Sequence, residues 1–214
     1  NLSNFSDIAV QTAFVVYCVA LFMSLFYYGR MQGIIEGRRA VKSQAAKVLV
    51  GAGAGGVDKQ SYAGEVAQSS SGITEGELKE KERKADKLGG MTSALMWVGI
   101  ALHAAAIVLR GLATTRVPWG NMYEFTAAIC LVAVGAWLVV LRRRPELRRL
   151  GAFVLLPVVV LMFLAGTVLY TQTAPVVPAL RSYWLAIHVS AAVIASGILL
   201  LAGVASVLYL LRRV

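Results

Sequence analysis

Long apolar runs alternate along this chain with short, strongly charged connections. The runs are Ile8–Tyr28, Met91–Ala113, Tyr123–Leu141, Leu150–Tyr170 and Trp184–Leu211. A helix needs about 20 apolar residues to cross the ~30 Å hydrocarbon core of a bilayer. Each run approaches or exceeds that length. The pattern therefore predicts an all-α integral membrane protein with about five transmembrane helices.

Composition supports this class and excludes others. The chain is 58% hydrophobic, with a mean hydropathy of +0.69 and a formal net charge of +10. A soluble domain of this apolarity would expose large apolar patches. Because the basic residues cluster in the connections, we interpret the charge as topology and as contact with the anionic head groups of the lipid bilayer. It does not indicate a nucleic-acid partner.

The distribution of Lys and Arg predicts the orientation. Residues 29–90 contain eleven of the 21 basic residues, the turn Arg142–Arg149 contains five, and the C-terminal tail adds two. The three that remain, Arg110, Arg116 and Arg181, fall on the opposite side. By the positive-inside rule the N-terminus lies outside, and both basic connections and the C-terminal end of the fragment lie in the cytoplasm.

These features predict three segments. They are a first transmembrane helix at 1–28, a cytoplasmic basic and low-complexity loop at 29–90, and a four-helix transmembrane region at 91–214. Within the loop, 29–49 continues the first helix as a basic amphipathic segment. Residues 50–74 are a glycine- and serine-rich linker, and Glu75–Lys87 has charges at the spacing of a solvated helix.

Both histidines lie inside apolar runs, where ionisable side chains are costly and often functional. An imidazole is also the commonest protein ligand for a metal centre. His188 lies roughly 6 Å from Trp184 along the last helix. The small residues that follow on its face favour either close helix packing or a flat slot beside a ligand. His103 is predicted to form a structural hydrogen bond, or to be a second ligand within the membrane.

The two outer connections hold most of the unusual side chains. Trp119, Tyr123, Tyr183 and Trp184 suit the head-group level, either as an ordinary aromatic belt or as the walls of a binding cavity. Glu124 begins the third run, where an unpaired carboxylate would be costly. We expect Arg110, Arg116 or Arg181 to pair with it, unless these arginines bind an anionic ligand.

Two segments in these connections resemble a known family. Pro118–Phe125 and Pro178–Ser190 are similar to the CcsA/ResC type of System II cytochrome c biogenesis protein, particularly the actinobacterial form often labelled CcsB. The similarity extends from about residue 88 to the end. It implies a multi-pass protein of the bacterial plasma membrane that binds haem b and presents it at the outer face to apocytochrome c. It also implies a ResB-type membrane partner, within a haem-transporting cytochrome c synthetase complex.

The resemblance also suggests residues for a haem site. It implies that His188 is the first of two outer axial ligands to haem iron. Candidate cavity residues are Trp119, Tyr123, Glu124, Arg181, Tyr183 and Trp184, and His103 is a candidate ligand within the membrane. The family's Trp-rich WWD segment and its second outer histidine do not occur in this sequence. We therefore expect the chain to be a fragment truncated before them.

Two other functions compete with haem handling. A transporter subunit for another small solute would use Glu124 and His103 as a proton or ion relay, and broken helices would favour it. A structural membrane scaffold would require neither histidine.

Overall fold

The computed structural model describes residues 2–52, 75–114, 117–118, 120–171 and 182–213, and nearly all of these are helical. In chain order the elements are α1 (Leu2–Ala52), α2 (Glu75–Thr114), α3 (Met122–Arg143), a 3₁₀ helix (Pro145–Leu150), α4 (Gly151–Thr167) and α5 (Tyr183–Arg213). Five helical segments are long and apolar enough to cross a membrane. The predicted all-α multi-pass membrane protein is therefore confirmed, whereas its orientation stays a prediction.

The helical segments that were predicted to extend the first two transmembrane helices into the basic loop are also present. α1 continues without a break through the basic segment 29–49, and α2 begins at Glu75, so that it includes the charged lead-in. Most of the predicted linker, 53–74, lies outside the described residues. α4 continues past Pro157 even though proline cannot donate a backbone hydrogen bond there.

The described residues form two units. One consists of Asn1–Leu25 with Gly89–Val214, and the other is Phe26–Leu88. The first unit contains the apolar lengths of all five membrane-crossing helices. These two compact units do not test the predicted division into three segments, which stays a prediction.

In the first unit, α3 is the central helix and packs against both α4 and α5. Its most apolar window is 56% buried, whereas that of α5 is 11% buried. Apolar surface alone does not drive helices together in lipid, so close packing has to hold them. Gly99 on α2 provides one such contact, because the ring of Tyr17 on α1 occupies the space that a side chain there would need.

The second unit pairs the later part of α1 with the early part of α2. Its buried residues are Tyr27, Ile34, Leu78 and Ala85. Around this seam the side chains are charged, and Arg38 pairs with Glu82 at 2.6 Å. The seam explains why two highly charged segments are helical: each buries one apolar stripe against the other.

Candidate functional site

The segment between α2 and α3 ends in a helix cap. Asn121 has an extended backbone, and its side-chain Oδ1 accepts a hydrogen bond from the backbone N–H of Glu124 at 2.8 Å. Asparagine is among the best residues at this position because it satisfies an N–H group that the helix leaves free. The cap fixes where α3 begins and places Glu124 in its first turn.

Glu124 forms a buried ion pair with Arg110 of α2. The Arg110 Nε donates to Glu124 Oε1 at 3.0 Å, and these residues are 3% and 2% exposed. The other carboxylate oxygen, Oε2, accepts the backbone N–H of Gly120 at 2.8 Å. The sequence left open whether Arg110 pairs with Glu124 or with an anionic ligand. The structure shows the pair. Arg116 lies outside the described residues.

Arg110 reaches two further segments. Its Nη1 donates to Asp7 Oδ1 of α1 at 3.0 Å, and its Nη2 donates to the carbonyl oxygen of Thr171, beyond α4, at 2.6 Å. A guanidinium group has N–H donors in a fixed planar fork, so it can hold several acceptors at defined angles. A single side chain of α2 therefore connects α1, α3 and the chain that follows α4.

Two tyrosines complete this group. Tyr170 donates its hydroxyl to Asp7 Oδ2 at 2.8 Å, and its ring meets that of Tyr123 edge-on at 5.5 Å between centroids. The Arg110 Cζ lies 4.6 Å from the centroid of the Tyr123 ring, which is a cation–π distance. The hydrogen bond to Asp7 raises the pKa of the Tyr170 phenol above its ordinary value. We call Asp7, Arg110, Tyr123, Glu124 and Tyr170 the Arg110 cluster.

Sequence reasoning missed Asp7 and Tyr170 as members of this cluster. A signal was present, because Asp7 and Glu124 are the acidic residues that border apolar runs on the predicted outer side. The long sequence separation of Asp7 from Arg110 hid the contact, since no local periodicity reports which helices become neighbours.

A small cavity lies beside the cluster, with a volume of about 10 Å³. Its lining includes Ser6, Arg110, Pro118, Tyr123 and Glu124. This volume admits about one water molecule, whereas pockets for organic ligands measure at least about 300 Å³. The Arg110 cluster is therefore a packed polar junction, and no haem-sized ligand fits inside this cavity.

His188 lies on an open face near the start of α5. The residue is exposed, and so are Tyr183 and Trp184, at 79% and 76%. Since Trp184 precedes His188 by about one turn, the indole and the imidazole share one side of the helix. Tyr183 begins the helix and is exposed on an adjoining side. We call Tyr183, Trp184 and His188 together the His188 face. It offers one nitrogen donor and two aromatic surfaces that the described part of the chain does not cover.

The small residues that follow His188 are only partly covered. Ala191 and Ala195 are exposed and Ala192 and Ser196 are half-buried, whereas the residues that α5 buries are Val193 and Gly197. Both alternatives for this face, close helix packing and a flat slot beside a ligand, therefore stay open. His188 as an axial ligand stays a prediction.

His103 has the opposite environment. It is 0% exposed, and its ring lies edge-on to Tyr17 with 5.9 Å between centroids. Neither ring nitrogen has a hydrogen-bond partner among the described residues. The predicted structural hydrogen bond is thus not formed by the described side chains, and an iron atom would reach this ring only after α1 and α2 had moved apart.

Two of the candidate cavity residues, Trp119 and Arg181, lie outside the described residues. Among the residues that are described, no group of three His, Cys, Asp or Glu side chains converges as a metal site. Haem needs no such group from the protein, because its porphyrin leaves the iron requiring axial donors only. A single exposed imidazole such as that of His188 fits this requirement, whereas His103 is enclosed by described residues. The ligand role of either histidine stays a prediction.

Comparison with known proteins finds a match in the later part of the chain. Residues 119–214 match the family model described as cytochrome C assembly protein. No curated protein and no solved structure matches the chain. The matched region comprises α3, α4 and α5 and therefore includes Glu124 and the His188 face, whereas Asp7, His103 and Arg110 precede it. The match agrees with the resemblance noted in the outer connections: residues 119–214 of this multi-pass membrane protein are similar to the cytochrome c assembly proteins.

Proposed function

We propose that this protein binds haem b on the His188 face and presents it at the outer side of the membrane for attachment to apocytochrome c. The family match over residues 119–214 supports a role in cytochrome c maturation. The observation that carries the finer proposal is the exposed His188 beside the exposed Trp184, within the matched region. In a chain with two histidines, this is the imidazole that a ligand can approach.

The residues of the His188 face have separate tasks. A neutral imidazole at His188 donates a nitrogen lone pair, and the rings of Tyr183 and Trp184 lie against a flat apolar surface. When bound, haem supplies the iron that takes this donor and the vinyl groups that react with cysteine thiols. By their places in the sequence, Trp119 adds a further aromatic wall and Arg181 a cation for a propionate.

Tyr123 and Glu124, which the resemblance suggested as cavity residues, take a different task in this proposal. Both are buried, and both already contact Arg110. We propose that they stabilise the outer connections through Arg110 and do not line the His188 face. His103 likewise contributes to packing between α1 and α2 and is not an iron ligand.

Partners follow from the chemistry of the reaction. The chain supplies no nucleophile or general base for thioether formation at the His188 face, so its contribution is to hold one reactant in place. Positioning two reactants can account for a large part of a reaction barrier. The proposal therefore requires apocytochrome c as the second reactant and, by the resemblance, a ResB-type membrane subunit. The basic connections then face the cytoplasm, as the positive-inside rule predicts.

A proton relay is the weaker explanation of the same residues. Glu124 is engaged by Arg110 and by the N–H of Gly120. His103 lies about 10 Å along α2 from Arg110 at 1.5 Å per residue, beyond the reach of a direct hydrogen bond. The relay would need groups in hydrogen-bond contact, and the described residues supply no such chain between these two positions.

The proposal is tested by replacing the donor. The wild-type protein, His188→Ala and the control Ile194→Ala, an exposed residue of the same helix, are purified from haem-replete cells and their absorption spectra compared. We expect a Soret band in the wild type and the control, and a weakened or shifted band in His188→Ala that imidazole restores. An unchanged spectrum for His188→Ala would rule out the ligand assignment.

A further inference from the structure

Arg110 lies where four parts of the first unit meet. Its three hydrogen bonds connect α2 to α1 through Asp7, to α3 through Glu124, and to the chain beyond α4 through Thr171. The side chain is 3% exposed. A buried cation of this kind persists only when acceptors surround it, and here each acceptor comes from a different segment.

Two of those acceptors lie in or next to the connections that precede α3 and α5. The Thr171 carbonyl stands immediately before 172–181, the stretch that continues into α5 and the His188 face. Glu124 holds the other connection, because its Oε2 accepts the N–H of Gly120, next to Trp119. The Arg110–Glu124 pair therefore holds Gly120, near the end of the α2–α3 connection. Arg110 also holds Thr171, at the start of the α4–α5 connection.

The chemistry of arginine makes this arrangement specific. The fork presents Nε, Nη1 and Nη2 in one plane, each toward a different acceptor. Lysine has the same charge but a single nitrogen on a flexible chain, so it cannot satisfy three acceptors with this spacing. Removal of the cation would break the ion pair of the Glu124 carboxylate with Arg110, at a side chain that is 0% exposed.

We propose that Arg110 is a positioning residue that holds Gly120 and Thr171, the described ends of the α2–α3 and α4–α5 connections, in place before any ligand arrives. Its effect on haem rests on the function proposed above, whereas its effect on the two connections does not. Arg110 contacts no ligand itself. It acts through Glu124 and Thr171, and because Gly120 and Thr171 are already held when haem arrives, the entropic cost of binding is lowered.

The first test measures the connections without haem. Hydrogen–deuterium exchange is followed in haem-free wild type, Arg110→Lys, Arg110→Met and Glu124→Gln, with Arg142→Met as a control. Arg142 stacks over Trp97, near the far end of α3, and is exposed. We expect exchange in peptides covering 117–124 and 168–182 to rise about tenfold in the Arg110 and Glu124 variants, the factor that loss of about 1.4 kcal/mol of local stability gives. The control should leave it unchanged.

Wild-type exchange in these peptides in both Arg110 variants would overturn the proposal. If Arg110→Met does not accumulate in the membrane, Glu124→Gln decides, because it keeps the shape of the side chain and removes the charge. A uniform rise in exchange over all five helices would also count against positioning, since it indicates general loss of packing.

The second test separates positioning from ligation. In the haem-loaded protein, Arg110→Lys should lower haem affinity about tenfold while the Soret maximum stays at the wild-type wavelength, because the donor at His188 is intact. His188→Ala should instead move the maximum. A shifted maximum in Arg110→Lys would make Arg110 part of the ligand environment and contradict the proposal. If the wild type binds no haem, the proposed function fails, and the exchange experiment still decides the role of Arg110.

Discussion

Gly197 of α5 and Val132 of α3 are in contact with no space for a side chain between them. A Cβ atom at position 197 would lie 2.6 Å from Val132 Cγ1 and 3.0 Å from the carbonyl oxygen of Ile129. The second distance is to backbone, which cannot move aside as a side chain can. This contact fixes how closely α5 approaches the central helix of the first unit.

Replacement of Gly197 tests this contact. We expect Gly197→Ala to destabilise the first unit by about 1–3 kcal/mol, the usual range for an overpacked interior. Gly203→Ala is a matched control on the same helix, because nothing lies within 4 Å of the added methyl group there. Unfolding titrations with SDS measure both. Equal stability of the two variants would show that α5 accommodates the methyl group without cost.

The cap at Asn121 gives a second prediction. Asn121→Ala removes the acceptor for the Glu124 N–H and should lower the free energy of unfolding by about 1 kcal/mol. Asn121→Ser keeps a capping oxygen and should recover most of that loss. Equal losses in Ala and Ser, measured by the same titration, would mean that the amide of Asn121 contributes something other than the cap.

Tyr170 gives a prediction about pH. Its phenol has a raised pKa because it donates a hydrogen bond to Asp7. The contribution of this bond to stability is therefore present below the ordinary tyrosine pKa of 10.0 and is lost as the pH rises through the higher value of the folded protein. Subtraction of the alkaline tyrosinate absorbance titration of Tyr170→Phe from that of the wild type should show one phenol that ionises above pH 10.0.

A phenol that ionises at or below the ordinary pKa in this difference would show that Asp7 does not accept the hydrogen bond in solution. Asp7→Asn provides the control, because it keeps an acceptor oxygen but removes the negative charge, so the raised pKa should fall back in part.

His103 gives the fourth prediction, which also separates the two histidines. Its buried nitrogens have no partner among the described residues, so His103→Leu removes polar atoms that gain nothing from burial. We expect this variant to be as stable as the wild type or more stable, with unchanged haem content per protein. Normal stability with lost haem would instead identify His103 as an iron ligand.

The membrane helices were predictable because their signal is local. Run length alone identified all five, and the continuation of α1 and the early start of α2 followed from their amphipathic charge pattern. What the sequence did not contain was the arrangement of helices around α3, since lipid-facing and core-facing residues are equally apolar. Tyr17 and Phe22 illustrate this: both belong to one apolar run, yet the first is 0% and the second 72% exposed.

The polar residues were predictable in part. Glu124 needed a cation, and Arg110 was one of three that could supply it. Which arginine pairs with Glu124 depends on the tertiary structure, because α2 has to bring the Arg110 guanidinium next to the first turn of α3. Asp7 of α1 belongs to the same cluster, although its local sequence does not predict contact with Arg110. The sequence placed His188 near the outer end of its helix and His103 within the membrane, but only the packing of the helices shows that the first is exposed and the second buried.

Few residues of α5 are buried in the first unit, so a tilt of this helix displaces its outer end. Its buried residues, Val193 and Gly197, lie well inward of the imidazole, with Gly197 about 13 Å along the axis from His188. A tilt of about 5° around that pivot displaces the imidazole by about 1 Å, which is half of a typical metal–nitrogen bond. Under the proposed function, a displacement of this size at His188 would separate a coordinated iron from a released one.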